Sequence, residues 1–393
     1  MFNGRNSIDC VPENNHSEPE RASRTMLRSR LIRKEFARMH TLHSRPPRGL
    51  GRRALAIGAA ALTTSLLIAG CSSTPSTEPS NGGDDAAAET FDIRLSHTLP
   101  EANPVHTVAV EVADAIRERT DGTVNIDVYG AGTIGSTAET TEQASLGQPM
   151  ISYVDASHVA EYGVSEFGML TSPFLLADYE EADNILESDL FAEWTEELAD
   201  VGDLQVLALN WFAGPRHIVG NKAVPEPDDL TGVKIRIPEA RTWEIIFGEL
   251  LPSTPVAIPS SEQFAALQQG VVDAGEIPLK SIVDLGFNEV ATDITLTGHL
   301  NLFLGFVMPA SIFQEMSAEQ QEIVLEEFRK GGIAATEQTT AGDAEARELM
   351  ESQGIAFHEA DIPAYRDATV GYFDFFDWDS ETVDRLLAAR DGE

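Results

Sequence analysis

The chain has 393 residues, enough for one large or two ordinary domains, and its formal charge of −37 is unevenly placed. Residues 1–70 hold 12 Lys+Arg against 5 Asp+Glu, whereas residues 71–393 hold 15 against 59, a net −44 there. Such a surface excludes nucleic acid as a partner, because phosphate contacts need basic patches, and two cysteines, Cys10 and Cys71, exclude a disulfide framework. A body this acidic is expected to favour high salt, where screening relieves self-repulsion.

Arg52 and Arg53 precede an apolar run, Ala54 to Ala69, that closes with Gly70-Cys71. A basic start, an apolar stretch of signal-peptide length and small residues before a cysteine point to a bacterial lipoprotein signal. Cleavage would leave Cys71 first, its thiol carrying a diacylglycerol. The run is short for a bilayer span; an ordinary signal peptide or a signal anchor is the alternative. The twin arginine hints at Tat rather than Sec export, and Met26 and Met39 are candidate starts beside Met1. Residues 1–70 are therefore read as leader. Residues 71–90, rich in Ser, Thr, Pro, Gly, Asp and Glu, are read as a flexible tether.

The body opens with an alternating strand, Phe91 to His97. Asn103-Pro104 starts a helix with apolar residues at 105, 108, 109, 112, 113 and 116. A strand from Val124 to Tyr129 leads into Gly130-Ala-Gly-Thr-Ile-Gly135, which lacks the lysine and the spacing of a phosphate loop and reads as a bend. A helix to Leu146 and a strand, Met150 to Val154, follow, and Asp155 sits at that strand's end. Acidic helices run through roughly 179–200, then a strand, Leu204 to Asn210. Trp211-Phe-Ala-Gly-Pro-Arg216-His217 breaks the pattern and reads as a crossing between two lobes. Residues 218 and 219 resume as strand.

Val233, Ile235 and Ile237 alternate with Lys234 and Arg236, and Pro238 ends the run. Arg236 thus stands at a strand end, opposite the core side chains, where ligands of α/β sheets sit. Alone, it reads equally as a surface arginine in an ion pair. Residues 240–251 read as a helix and 255–258 as a short strand. Ser260 with Gln263 forms a capping-box pattern for a helix over 261–269. A strand over 271–274 ends at Glu276, and 294–296 and 302–308 are further strands. Ser317 with Gln320 caps a helical stretch to about Ser352, with a kink expected at Gly331-Gly332, and the C-terminus reads as helical. Strands alternating with helices predict an α/β protein with mainly parallel sheets.

An ordered set of phrases carries a resemblance: Thr120-Asp-Gly with Gly135, Pro173-Phe-Leu, Gly214-Pro-Arg216, Asp229-Leu-Thr-Gly-Val-Lys-Ile-Arg236-Ile-Pro238, Ala266-Leu-Gln-Gln-Gly-Val-Val-Asp273, Glu276 with Pro278-Leu279, and Leu296-Thr-Gly-His299. From about Phe91 to near the C-terminus the chain resembles the solute-binding subunits of tripartite ATP-independent periplasmic (TRAP) transporters, of the DctP type. The resemblance implies a two-lobed periplasmic-binding-protein-like α/β fold with hinge segments and a long lobe-spanning helix. Lobe I is expected over 91–213 plus about 303–345, lobe II over 214–302 plus about 346–393.

It also implies a small organic carboxylate, dicarboxylates among the possibilities, held by Arg236 and Arg216. His97, Thr98, Asp155, Ser260, Glu276 and Ile277 complete the expected binding set. A guanidinium suits this role because it stays charged and donates two parallel N–H bonds. The implied partner is a membrane permease driven by an ion gradient, and the implied place is outside the cytoplasm, lipid-anchored through Cys71. The chain departs from the family's Asp-Gly-Gln-Glu-Asn-Pro: residues 273–278 read Asp-Ala-Gly-Glu-Ile-Pro, so an amide is lost at Ile277, and Ser260 stands where an aromatic is common. A less polar or larger carboxylate is the expectation. A protein feeding a sensor, or a secreted hydrolase, are the rival readings. No nucleophile elbow or His-Glu-x-x-His motif appears and the histidines lack ligand spacing, so no catalytic residue, metal or cofactor is expected.

Overall fold

A computed structural model describes residues 89–393; the leader, the tether, Cys10 and Cys71 lie outside the described residues. Eleven short strands, counted among these residues, build two sheets. The first has the order β2-β1-β3-β10-β4, with β1 (Phe91–Ser96), β2 (Val124–Tyr129), β3 (Met150–Asp155), β4 (Leu204–Ala208) and β10 (Leu304–Pro309). The second runs β11-β9-β5-β8-β6-β7, with β5 (Arg216–Gly220), β6 (Lys234–Ile237), β7 (Thr254–Ala257), β8 (Ala274–Pro278), β9 (Asp293–Leu300) and β11 (Ala356–Glu359). Each sheet is mixed. β1, β2 and β3 are parallel, but β10 pairs antiparallel with both β3 and β4, and β5 pairs antiparallel with β8 and β9.

Each sheet has a core on both faces. On one face of the first, α1 (Pro104–Arg119) buries Val105, Val108, Val112 and Ile116 with Trp211, Phe306 and Phe328. The Asn103 side chain accepts from the Val105 N–H and so opens this helix, as its sequence suggested. The other face gathers Phe167, Phe191, Trp194 and Leu198, the last three from α4 (Asp189–Gly202), next to α3 (Tyr179–Leu186). The second sheet packs Trp243, Phe247 and Tyr365 on one face and Phe287, Ile294 and Met350 on the other.

The chain passes between the sheets at residues 209–215 and again at 301–303, between β9 and β10. The first crossing is braced by α7 (Ala318–Ala341): the Trp211 indole N–H donates to the Phe328 carbonyl, Asn210 Nδ2 to the Arg329 carbonyl, and the Phe212 N–H to Thr336 Oγ1. Gly331 and Gly332 do not interrupt this helix, which runs through them from Ala318 to Ala341. They sit in its middle, where a Cβ would collide with Trp211 or Asn210, so they let the crossing strand lie close against it. The break falls at Gly342, before α8 (Asp343–Ser352), which packs beside α6 (Leu279–Asp284) of the second sheet.

Several local expectations shift. The apolar pair Val271-Val272 is not strand, because both N–H groups turn back to the Ala266 carbonyl and close α5 (Gln263–Gln268); β8 starts at Ala274. Ser260 does not cap that helix through its backbone; its hydroxyl accepts instead from the Gln263 side-chain amide at 3.4 Å. Residues 241–250 form one α-turn and then a wider π-helical segment. The end of the chain divides differently from the expected lobe II. α9 (Ile362–Thr369) packs on the second sheet through Tyr365, whose hydroxyl donates to the Val224 carbonyl. α10 (Ser380–Arg390) returns to the first body, burying Leu386 beside α3 and α4, because its apolar stripe has its partner there.

Candidate functional site

A cavity lies between the two sheets, at the ends of β3, β5, β6 and β8 and beneath the N-terminal ends of α1 and α2 (Thr137–Ser145). Of the residues expected from the sequence, Thr98, Asp155, Arg216, Arg236, Ser260 and Ile277 line it. Glu276 stands one layer behind, and His97 is buried beside His106 with a 2.9 Å contact between Nε2 and Nδ1.

Arg236 is out of phase with Ile235 and Ile237, so its side chain leaves the core that they build and enters the cleft. It is nevertheless only 5 % exposed, because the facing elements cover it. Its Nε donates to the Ile258 carbonyl at 2.8 Å. Neither terminal nitrogen has a protein partner, and no carboxylate lies within ion-pair distance among the described residues. Burial lowers its pKa to about 10, Glu276 opposing and Arg216 assisting, so it stays charged at neutral pH. A buried unpaired cation is costly.

Arg216 is differently placed. Its Nε and Nη2 reach both carboxylate oxygens of Glu276, the neighbouring strand's residue, and its guanidinium lies 5.6 Å from the Trp243 ring centroid. Glu276 has no exposed side-chain surface. Burial pushes its carboxyl up, against the pull of Arg216 and Arg236. The forked contact partly neutralises Arg216 and holds its guanidinium in place at the cavity, where Nη1 has no protein partner among the described residues.

Asp155 is committed too. As N-cap of the short helix Ala156–Val159 it accepts from the Ser157 N–H at 2.8 Å, from the Ser157 hydroxyl and from the His158 N–H, while its other oxygen meets His158 Nδ1 at 2.9 Å. Burial alone would raise its carboxyl, but His158 and the Ser157 bonds outweigh this and hold it down to about 2. Burial in turn opposes the His158 charge, and Asp155 prevails and raises its pKa. Asp155 therefore orients His158, whose ring lines the cavity.

His158 and Tyr153 line the cavity but lie outside the set that the sequence leads one to expect. His158 had a readable signal in Asp155-Ala-Ser-His158, an N-cap with a histidine three residues on. Tyr153 lies inside a fully buried strand, where a sequence shows only core. Trp243 Nε1 donates to Ser157 Oγ at 2.9 Å, and Asn103 Nδ2 donates to Asp284 Oδ2 at 2.8 Å, so residues packed on the two sheets touch directly at two places beside the cavity.

Residues 95–376 match the family described as bacterial extracellular solute-binding protein, family 7, the DctP family. The chain belongs to this family. The sialic acid-binding periplasmic protein SiaP of Vibrio cholerae is 24 % identical over 266 residues, 68 % of this chain and 82 % of the relative. Among solved structures, a TRAP periplasmic solute binding protein from Fusobacterium with bound sn-glycerol-3-phosphate is 26 % identical with a TM-score of 0.73, covering 77 % of this chain and 97 % of the other. A second, from Ochrobacterium anthropi with bound L-fuconate, is 27 % identical with a TM-score of 0.72, covering 77 % and 99 %. The fold is thus the two-lobed α/β fold of TRAP solute-binding proteins, and the family is one of binding proteins rather than enzymes. No helix among the described residues is long and apolar enough to cross a membrane.

Proposed function

We propose that this protein is an extracytoplasmic solute-binding lipoprotein of a TRAP transporter, which captures a small organic carboxylate between its lobes and delivers it to an ion-gradient-driven permease. One observation carries the reading: Arg236 is buried at a sheet end, charged, and has two terminal nitrogens without a protein partner among the described residues. A carboxylate bridging those nitrogens supplies the missing counter-charge and removes the penalty of an unpaired buried ion. The L-fuconate bound in the related structure from Ochrobacterium anthropi supports an anionic solute.

Closure follows from the same charge. A ligand that contacts both lobes stabilises the closed arrangement by its extra contacts there. Asn103 to Asp284 and Trp243 to Ser157 are among the protein's own contacts between the two bodies. Lipidation at Cys71 supplies the membrane tether in this reading.

A thermal-shift screen of organic acids tests the function, since a ligand of the folded state raises its midpoint. Stabilisation by at least one carboxylate, abolished in Arg236→Ala, is the expected result; a screen in which neutral solutes alone stabilise the protein would refute it. For the tether, Cys71→Ser should release the protein from membranes, and unchanged membrane association would exclude lipidation there.

A further inference from the structure

Resting on the reading that Arg236 takes a carboxylate, we propose that capture of the anion is coupled to a proton on His158. The ligand is held with that ring protonated at Nε2, where it acts as a second donor beside Arg236, and removing the proton weakens binding.

The tautomer of His158 is set by its own helix. Asp155 ends β3, caps the short helix Ala156–Val159 and meets His158 Nδ1 with Oδ2 at 2.9 Å. Its other oxygen accepts the Ser157 N–H and hydroxyl, and Ser157 Oγ in turn accepts from the Trp243 indole at 2.9 Å. Asp155 is thus held against the ring. A carboxylate only accepts, so Nδ1 keeps its hydrogen in both charge states of the imidazole. The proton that comes and goes is the one on Nε2. That nitrogen has no protein partner among the described residues and is not sealed from solvent, and its ring lines the cavity. Neutral His158 offers the cavity a lone pair, which repels a carboxylate oxygen. Protonated His158 offers an N–H, a charge-assisted donor.

The surrounding charges act in the same direction. Those that reach the ring are Asp155 at the end of β3, and Arg236 and Glu239 at and just beyond the end of β6. Arg216 lines the same cavity with Glu276 across its Nε and Nη2. On the turns packed against the short helix, Glu161, Arg241 and Glu244 are exposed, and Glu166 accepts from the Ser165 hydroxyl. Burial opposes the His158 proton, Asp155 outweighs it, and Arg236 works against it. An anion on Arg236 cancels that last opposition, so the ligand favours the protonated ring. By linkage the protonated ring favours the ligand by the same factor. With the ring neutral, the buried Asp155 charge is left unbalanced in the cavity wall and opposes the incoming carboxylate.

Isothermal titration of the full chain with L-fuconate, D-glucuronate and pyruvate, single anions throughout the range from about pH 6 to about pH 9, tests the coupling. For the tightest of them, affinity should be level on the acid side and fall about tenfold or more towards pH 9, because a neighbouring charge moves a pKa by about one to three units. Titrations near pH 8 in HEPES and in Tris, whose ionisation heats differ, should show uptake of up to about one proton per ligand by the wild type, a readout that needs no variant. His158→Gln should take up none and bind with one affinity across the range. Level affinity in the wild type, no proton uptake, or a pH dependence that persists in a folded His158→Gln would overturn the coupling and leave carboxylate binding by Arg236 standing. If none of the three acids binds, or if Arg236→Ala binds as well as the wild type, the coupling falls together with the reading it rests on.

Discussion

Arg216 and Arg236 share one cavity and stand on strands of one sheet, yet only Arg216 is neutralised by a carboxylate, that of Glu276. Arg236 has the Ile258 carbonyl for its Nε and nothing for its two terminal nitrogens among the described residues. The pairing of the first arginine prevents the two cations from repelling each other at full strength. It also leaves a single site where an anion gains from entering.

Arg236→Met should stabilise the unliganded protein while destroying binding. The substitution removes an unpaired buried charge and keeps most of the side-chain volume, a change that is neutral to stabilising by about 1–4 kcal/mol at buried ionic sites. Denaturant unfolding of the two proteins without ligand checks this. A marked loss of stability would mean that Arg236 is compensated within the protein after all.

Glu276→Gln should act in the opposite sense. Glu276 is fully buried, and the change leaves Arg216 facing a neutral amide beside Trp243. Breaking a buried pair from one side costs about 3–5 kcal/mol, so the unliganded melting point should fall. An unaltered melting point would show that the contact carries no stabilisation.

Stability should fall on both sides of neutral pH, for two separate reasons. His97, His217 and His299 are held down to about 4, about 4 and about 3, mainly by burial. They are neutral in the fold and take up protons on unfolding, so stability is lost as pH falls below about 6.5, by up to about 1.4 kcal/mol per pH unit for each. His217 shows why, since its Nδ1 accepts the Gly298 N–H and cannot also hold a proton. His158 is raised by Asp155 against burial and Arg236, with Glu239 assisting. Its contribution is present below about 6.5 and lost as pH rises through its higher folded value. Melting points across pH should show both limbs, and His158→Gln should flatten the alkaline one. A flat profile from pH 4.5 to 8 would contradict this assignment.

Added salt should raise the melting point. The net −44 over residues 71–393 repels itself, and screening shortens the range of that repulsion to about 8 Å at physiological ionic strength and about 3 Å at 1 M. Thermal unfolding in increasing sodium chloride measures it, and indifference to salt would remove electrostatic self-repulsion as a property of this fold.

What the sequence shows depends on how local the cause is. β1 and β2 are legible because alternation and the flanking turns suffice, and Asn103 and Ser317 announce their helices because a cap is a local bond. Arg236 is legible as a strand-end arginine, out of phase with its apolar neighbours. Its burial is not, because the cover comes from distant segments. Asp155 and Arg216 illustrate the same limit: both line the cavity as expected, but the protein groups they also bind, one of them 60 positions away, are not visible in the sequence. Tyr153 is hidden in an all-buried strand, since only the missing partner of its hydroxyl sets it apart from core. The return of α10 to the first body is likewise a tertiary choice that no periodicity encodes.

In the proposed function the uncompensated guanidinium of Arg236 is the anchor for an organic acid. Titration calorimetry of the wild type and Arg236→Met with the best-binding monocarboxylate tests it most directly. A folded variant that loses about 2–5 kcal/mol of binding free energy is the expected result; a folded variant with undiminished affinity would show that the anchor lies elsewhere.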